Sequence, residues 1–220
     1  MPKTEKLSLE EIEERCEEFI KQELNNESDS AHDIHHILRV VKSAKEILAE
    51  ESADCEIVIP AAWLHDCVIL PKDHPDRKRA SAYAAKKAGD FLSDIDFPSH
   101  KIEEVKHAVE AHSFSAGITP ETMEAKIVQD ADRLDAIGAI GIARCLMVGG
   151  KLDRALYNPD DPLSENRAPD DSTWTIDHFY EKLFKLPEKM HTNAAKREAK
   201  RRVKFMEEYL RELKREVQKE

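Results

Sequence analysis

The sequence predicts an all-α fold on three observations. Apolar residues recur at spacings of three and four along most of the chain, no run alternates apolar with polar residues as a half-buried strand would, and the interruptions carry residues that start or end helices. The 220 residues are read as a single domain, 1–220, long enough to bury a real core.

Each element rests on its local pattern. Ser8 and Glu11 spell a capping box at the head of the stripe Ile12, Cys16, Ile20, which predicts a first helix over 9–24. The polar stretch NNESDS ends it. From about Ser30 a second helix carries Ile37, Val40, Val41, Ala44, Ile47 and Leu48 on one face, with His36 beside that face. A third is expected from about Asp54 through His65, kinked or restarted at Pro60, which has no N–H to give the ladder. After the loop LPKDHPDRKR come a helix over about 80–92 and another in PSHKIEEVKHAVEAHS, whose end places His112 near the core. Thr119 and Pro120 read as the N-cap and first residue of a segment, MEAKIVQDADRLDAIGAIGIARCLMV, that is one broken helix or two in tandem ending at Gly149 and Gly150. Residues 151–174 read as a long loop, and the remainder is helical through Phe205, Met206, Tyr209, Leu210, Leu213 and Val217, so 151–220 forms a C-terminal loop and helical extension.

Composition excludes several functions. A net charge of -11 argues against a protein that coats a nucleic-acid backbone, while leaving nucleotides and other small phosphates open. The basic run KREAKRRVKF reads as a solvated helix face. Cys16, Cys55, Cys67 and Cys145 show no C-x-x-C spacing and suggest buried thiols in a reducing cytosol. The charged opening MPKTEKLSLEEIEER lacks an apolar core, and no apolar run approaches the roughly 20 residues that span a bilayer, so no membrane partner and a cytoplasmic location are expected. Neither a phosphate-binding Walker loop nor a G-x-G-x-x-G motif is present, so no glycine-rich backbone cradle for phosphate is expected.

The chemistry concentrates at His36, at His65 and Asp66 inside the apolar AAWLHDCVIL, and at the acids of QDADRLDA. Polar groups in such surroundings cost on the order of a few kcal/mol each unless something satisfies them. Imidazoles and carboxylates together suit a borderline divalent cation with positions left for water and substrate. By position alone, His35 competes with His36 and Asp130 with Asp132.

The order of HHILRVV, AAWLHD and QDADRLDA resembles the HD-domain metal-dependent phosphohydrolases over roughly 30–148. The resemblance implies an HD-domain-like helical bundle in which His36, His65, Asp66 and Asp132 ligate one divalent ion. Mn²⁺ or Fe²⁺ is favoured, Mg²⁺, Co²⁺, Ni²⁺ and Zn²⁺ are compatible, and two imidazoles make Mg²⁺ the least natural resident. The stretches SAHDIHHILRV, KDHPDRKRASAYAA and VEAHSFSAGITPETMEAKIVQDADRLDAIGAIG look like the small single-domain bacterial members, which include nucleotide pyrophosphohydrolases. CVIL after Asp66 replaces the Glu-Asp pair of the HD domains that hydrolyse guanosine tetraphosphate, and the Gly-Tyr-Pro signature of cyclic-dinucleotide phosphodiesterases is missing.

The resemblance thus implies a metal-dependent phosphohydrolase acting on a small phosphorylated substrate, a nucleotide by preference. Asp66 is expected both to ligate and to orient the attacking water, and His112 to act as general acid, phosphate donor or ligand of a second metal. Lys72, Arg77 and Arg133 are the cations placed to neutralise phosphate. Asp33 is read as orienting the His36 helix and Asp130 as holding a ligand histidine or Lys126. His107 reads as surface or supporting. The H-D-x-x-H spelling at His32 imitates a zinc-protease motif, but Asp is one methylene shorter than Glu and no third-ligand motif comes after it. Two other functions fit the pattern less well: a non-catalytic metal- or nucleotide-binding signalling module, and a di-iron oxygenase.

Overall fold

The capping box at Ser8 forms as spelled: the Ser8 N–H donates to Glu11 Oε2 at 2.8 Å and the Glu11 N–H donates to Ser8 Oγ at 3.2 Å. It starts helix α1, Leu9–Leu24, which buries Ile12, Cys16 and Ile20. The structure is a computed structural model, and it describes residues 7–24, 34–70, 74–113 and 116–217. Among them are nine α-helices and no strand, the all-α class that the sequence predicts.

Helix α2, Ile34–Leu48, buries its apolar stripe together with His36. Helix α3, Cys55–Leu64, is capped by Asp54, whose side chain accepts from the Glu56 N–H at 2.9 Å. Of the kink or restart expected at Pro60 there is no restart: one helix runs through it, and each residue from Ile57 to Leu64 is buried. Cys55, at its head, is exposed, unlike the buried thiols of Cys16 and Cys67. Helices α1, α2, α4 (Ala80–Asp94) and α5 (Ser99–Ala111) all pack on α3. Ion pairs fix their register. Lys101 at the start of α5 reaches Asp54 at 2.5 Å and Glu56 at 2.7 Å, while Glu13 of α1 accepts from Trp63 Nε1 at 3.1 Å and from Lys45 Nζ at 2.6 Å.

Helix α6, Met123–Asp135, begins later than expected. Thr122 rather than Thr119 is the cap, since its hydroxyl accepts from the Ala125 N–H at 3.1 Å. The tandem alternative holds for the next segment: Gly138 at φ 78 breaks the chain between α6 and α7, Gly138–Lys151. Only glycine takes that φ at little cost.

Two compact units result, Met1–Asp132 and Arg133–Glu220, with the division inside the last turns of α6. The second unit contains α7, the short α8 (Asp177–Glu181) and the 25-residue α9 (Asn193–Val217). The irregular segment between α7 and α8 is tied down by buried Asp177. Its carboxylate accepts from Ser164 Oγ at 2.9 Å, from the Asp170 N–H at 2.6 Å, and from both terminal nitrogens of Arg167 at 2.5 and 2.8 Å. The bidentate fork is the strongest geometry that a guanidinium offers a carboxylate.

Candidate metal centre

Three helices of the first unit deliver the polar side chains that the apolar core would otherwise reject. His36 sits in the first turn of α2, His65 is the C-cap of α3 with Asp66 next to it, and Asp132 lies near the end of α6. Their atoms converge. His36 Nε2 is 3.3 Å from His65 Nε2, 3.7 Å from Asp66 Oδ2 and 3.5 Å from Asp132 Oδ1, and His65 Nε2 is 3.7 Å from Asp66 Oδ2. Both histidines are buried, at 1% and 0% exposure, whereas the Asp66 and Asp132 side chains keep 20% and 30%, so the cluster opens on its carboxylate side.

His36 is buried in the cluster and His35 is exposed. Asp132 Oδ1 lies 3.5 Å from His36 Nε2, and Asp130 is fully buried on the same helix.

His36, His65 and Asp66 fit one cation, their donor atoms all lying within 4.8 Å of one another, while Asp132 approaches the group on the His36 side. Donors about 2.1 Å from a single ion and 90–110° apart lie roughly 3.0–3.4 Å from one another, close to the spacings here. The His65 Nδ1 hydrogen is donated to the Ala62 carbonyl at 2.8 Å, which leaves a lone pair on Nε2 pointing at a second imidazole nitrogen. Burial lowers His65 to about 4, only partly offset by Asp66, so its Nε2 keeps that lone pair near neutral pH and can either accept from a His36 Nε2–H or ligate a cation.

Asp66 uses its two oxygens differently. Oδ2 faces His36 and His65, while Oδ1 lies 3.3 Å from His112 Nε2. His112, the C-cap of α5, gives its Nδ1 hydrogen to the Val109 carbonyl at 2.6 Å. Burial would lower its pKa, but the hydrogen bond to Asp66 and the charges of Asp66 and Asp132 overcome it and raise it to about 9. Burial likewise pushes the Asp66 carboxyl up, yet the surrounding imidazoles of His65, His112 and His36 together hold it well below the usual carboxylate range.

Asp33 and Lys72 lie outside the described residues. Arg77, itself half-buried, opens a 3-10 turn before α4 whose other two residues are exposed. In the second unit, Arg133 Nη1 donates to the Lys189 carbonyl at 2.5 Å and lies 3.3 Å from His191 Nε2. His107 Nε2 accepts from the Glu121 N–H at 3.0 Å and so shapes the loop before α6. Cys67 donates its thiol to the Ala84 carbonyl, and burial pushes it up to about 12, so no thiolate chemistry is available there.

Sequence reasoning misses Gln129. It is buried on α6 and donates through Nε2 to the Ala111 carbonyl at 2.6 Å, which ties the turn before His112 to the helix that carries Asp132. Its only sequence signal is an amide within the apolar register of that helix.

The family model of the HD domain matches residues 33–137, a span that contains His36, His65, Asp66, His112 and Asp132. The uncharacterised protein YpgQ of Bacillus subtilis is 34% identical over 190 residues, 84% of each chain. An HD-superfamily hydrolase from Bacillus thuringiensis superposes with a TM-score of 0.76 at 34% identity, covering 95% of this chain and 98% of that one. The crystal structure of B. subtilis YpgQ in complex with ADP superposes with a TM-score of 0.73 at 29% identity, covering 96% and 97%. The chain belongs to the HD-domain superfamily.

Proposed function

We propose that the chain is a metal-dependent phosphohydrolase acting on a nucleotide, with His36, His65, Asp66 and Asp132 holding one divalent cation. The single observation that carries this reading is the convergence of four nitrogen and oxygen donors from three helices, three of them within 3.3–3.7 Å of the buried His36 Nε2. The donor set favours Mn²⁺ or Fe²⁺. When bound, the ion supplies Lewis acidity toward a phosphoryl oxygen and lowers the pKa of a water to near neutrality.

The protein's own groups do the rest. Asp66 spans the ligand cluster through Oδ2 and His112 through Oδ1, so it aligns the attacking water with the acid. His112 holds a proton at Nε2 and gives it to the departing phosphate oxygen. Lys72, Arg77 and Arg133 are the cations assigned to the phosphate chain, Arg77 and Arg133 by the fork that matches phosphate oxygens. The ADP complex of YpgQ supports a nucleotide as substrate class. The scattered free cysteines support a cytoplasmic location.

The test is a screen of nucleoside mono-, di- and triphosphates with Mn²⁺, Mg²⁺, Fe²⁺ and Co²⁺, with products identified by phosphorus NMR. Hydrolysis within the phosphate chain that stops on chelation and returns with Mn²⁺ is expected. Undiminished turnover in metal-free protein, or cleavage of nonphysiological esters alone, would overturn the assignment.

A further inference from the structure

The second unit contains a cavity of about 160 Å³ that no residue of the metal cluster lines. Its wall includes Arg144, Arg154 and His178 and no acidic side chain, although the protein carries a net charge of -11. Two of the three basic groups are already answered by acids behind the wall. Arg144 pairs with buried Asp135, and His178 Nδ1 donates to Asp171 Oδ2 at 2.6 Å. Arg154 is different: it is half-buried, and its guanidinium makes no hydrogen bond or ion pair among the described residues. A half-buried cation without a counter-ion, in a wall without acids, is an arrangement that an anion completes.

The cavity is built rather than left over. The Thr175 N–H donates to the Ala155 carbonyl at 2.9 Å and the Ile176 N–H to the Leu156 carbonyl at 3.0 Å, which fixes the backbone directly after Arg154. Opposite, Gly149 lets α7 approach so closely that an added Cβ would lie 2.2 Å from Thr175 Oγ1. Nor is the volume suited to a nucleotide. It holds about five water molecules at roughly 30 Å³ each, room for a phosphate with part of its hydration, and falls below the roughly 300 Å³ of drug-sized pockets.

We propose that this cavity is a binding site for a compact phosphate oxyanion, held by the Arg154 fork with Arg144, His178 Nε2 and Thr175 Oγ1 completing its shell. The proposal is independent of the function assigned to the metal cluster. Calorimetric titration of inorganic phosphate into the full chain tests it, with acetate as the competing oxyanion and with three variants. Asp66→Ala removes a cluster residue and should leave phosphate binding unchanged. Arg154→Gln should weaken it by about tenfold or more, since a charge-assisted bidentate contact is lost, and should leave metal-dependent hydrolysis unchanged. Arg154→Lys keeps charge and bulk but not the fork, so its affinity should fall between wild type and Arg154→Gln, and it carries the test if Arg154→Gln does not fold. Four results would overturn the proposal: no phosphate binding at millimolar concentration, binding lost in Asp66→Ala, binding unaltered in the folded Arg154 variants, or acetate bound as tightly as phosphate.

Discussion

Asp66 and Asp177 are both inward-facing carboxylates, and their surroundings are opposites. Asp177 accepts from a bidentate guanidinium, a hydroxyl and a backbone N–H, so its oxygens are fully answered by permanent donors. Asp66 instead faces three imidazoles, each of which donates, ligates or stays neutral according to what else is bound. The first arrangement is finished when the chain folds. The second is finished only by a proton or a cation, and that incompleteness separates a site from a structural pair.

Substitution separates the two carboxylates. The largest effect is expected for Asp66→Ala, which should reduce metal-dependent turnover by about a thousandfold or more while the thermal midpoint of the metal-free protein stays near wild type. Asp177→Ala should do the reverse. It strands Arg167 in a half-buried setting and should cost about 3 kcal/mol in urea unfolding, with turnover per folded molecule retained. If both variants lose activity and stability together, the distinction between the two carboxylates fails.

A smaller effect separates the two kinds of acid by pH. Glu198 is held at about 2, first by its hydrogen bond to Arg201, against the cost of burial, and further by Arg202. Because the folded pKa lies below the unfolded value of about 4.5, its stabilisation is complete above that value and is lost as pH falls from about 4.5 towards 2. Glu198→Gln should therefore lower stability at pH 7 and flatten that part of the acid-unfolding profile, without altering metal binding. The smallest effect belongs to Ser8→Ala, which removes the cap of α1 and should cost about 1 kcal/mol with no change in turnover.

Much of this architecture is legible in the amino-acid sequence alone, for reasons specific to each residue. The apolar stripes of α1 and α2 and the Ser8 box are local patterns, and local physics decides them. His65 and Asp66 stand out because polar neighbours in an apolar run demand a partner. His35 and His36 are harder to separate, since adjacent positions differ by only about 100° around a helix and which one is buried depends on where α2 packs. The cap of α6 is misplaced by one turn, at Thr119 instead of Thr122, because the loop before the helix sets which hydroxyl meets the Ala125 N–H. Asp177 leaves no trace in the sequence. Its partners Ser164, Arg167 and Asp170 come from an aperiodic segment, and their pairing is a tertiary event.

Electron paramagnetic resonance of the full chain titrated with Mn²⁺ tests the metal centre most directly. One tightly held Mn²⁺ per chain is expected, with ¹⁴N couplings from the imidazoles of His36 and His65, weakened in His36→Gln and abolished with binding in Asp66→Ala. Mn²⁺ retained at full stoichiometry in Asp66→Ala, or bound without nitrogen coupling in the wild type, would contradict it.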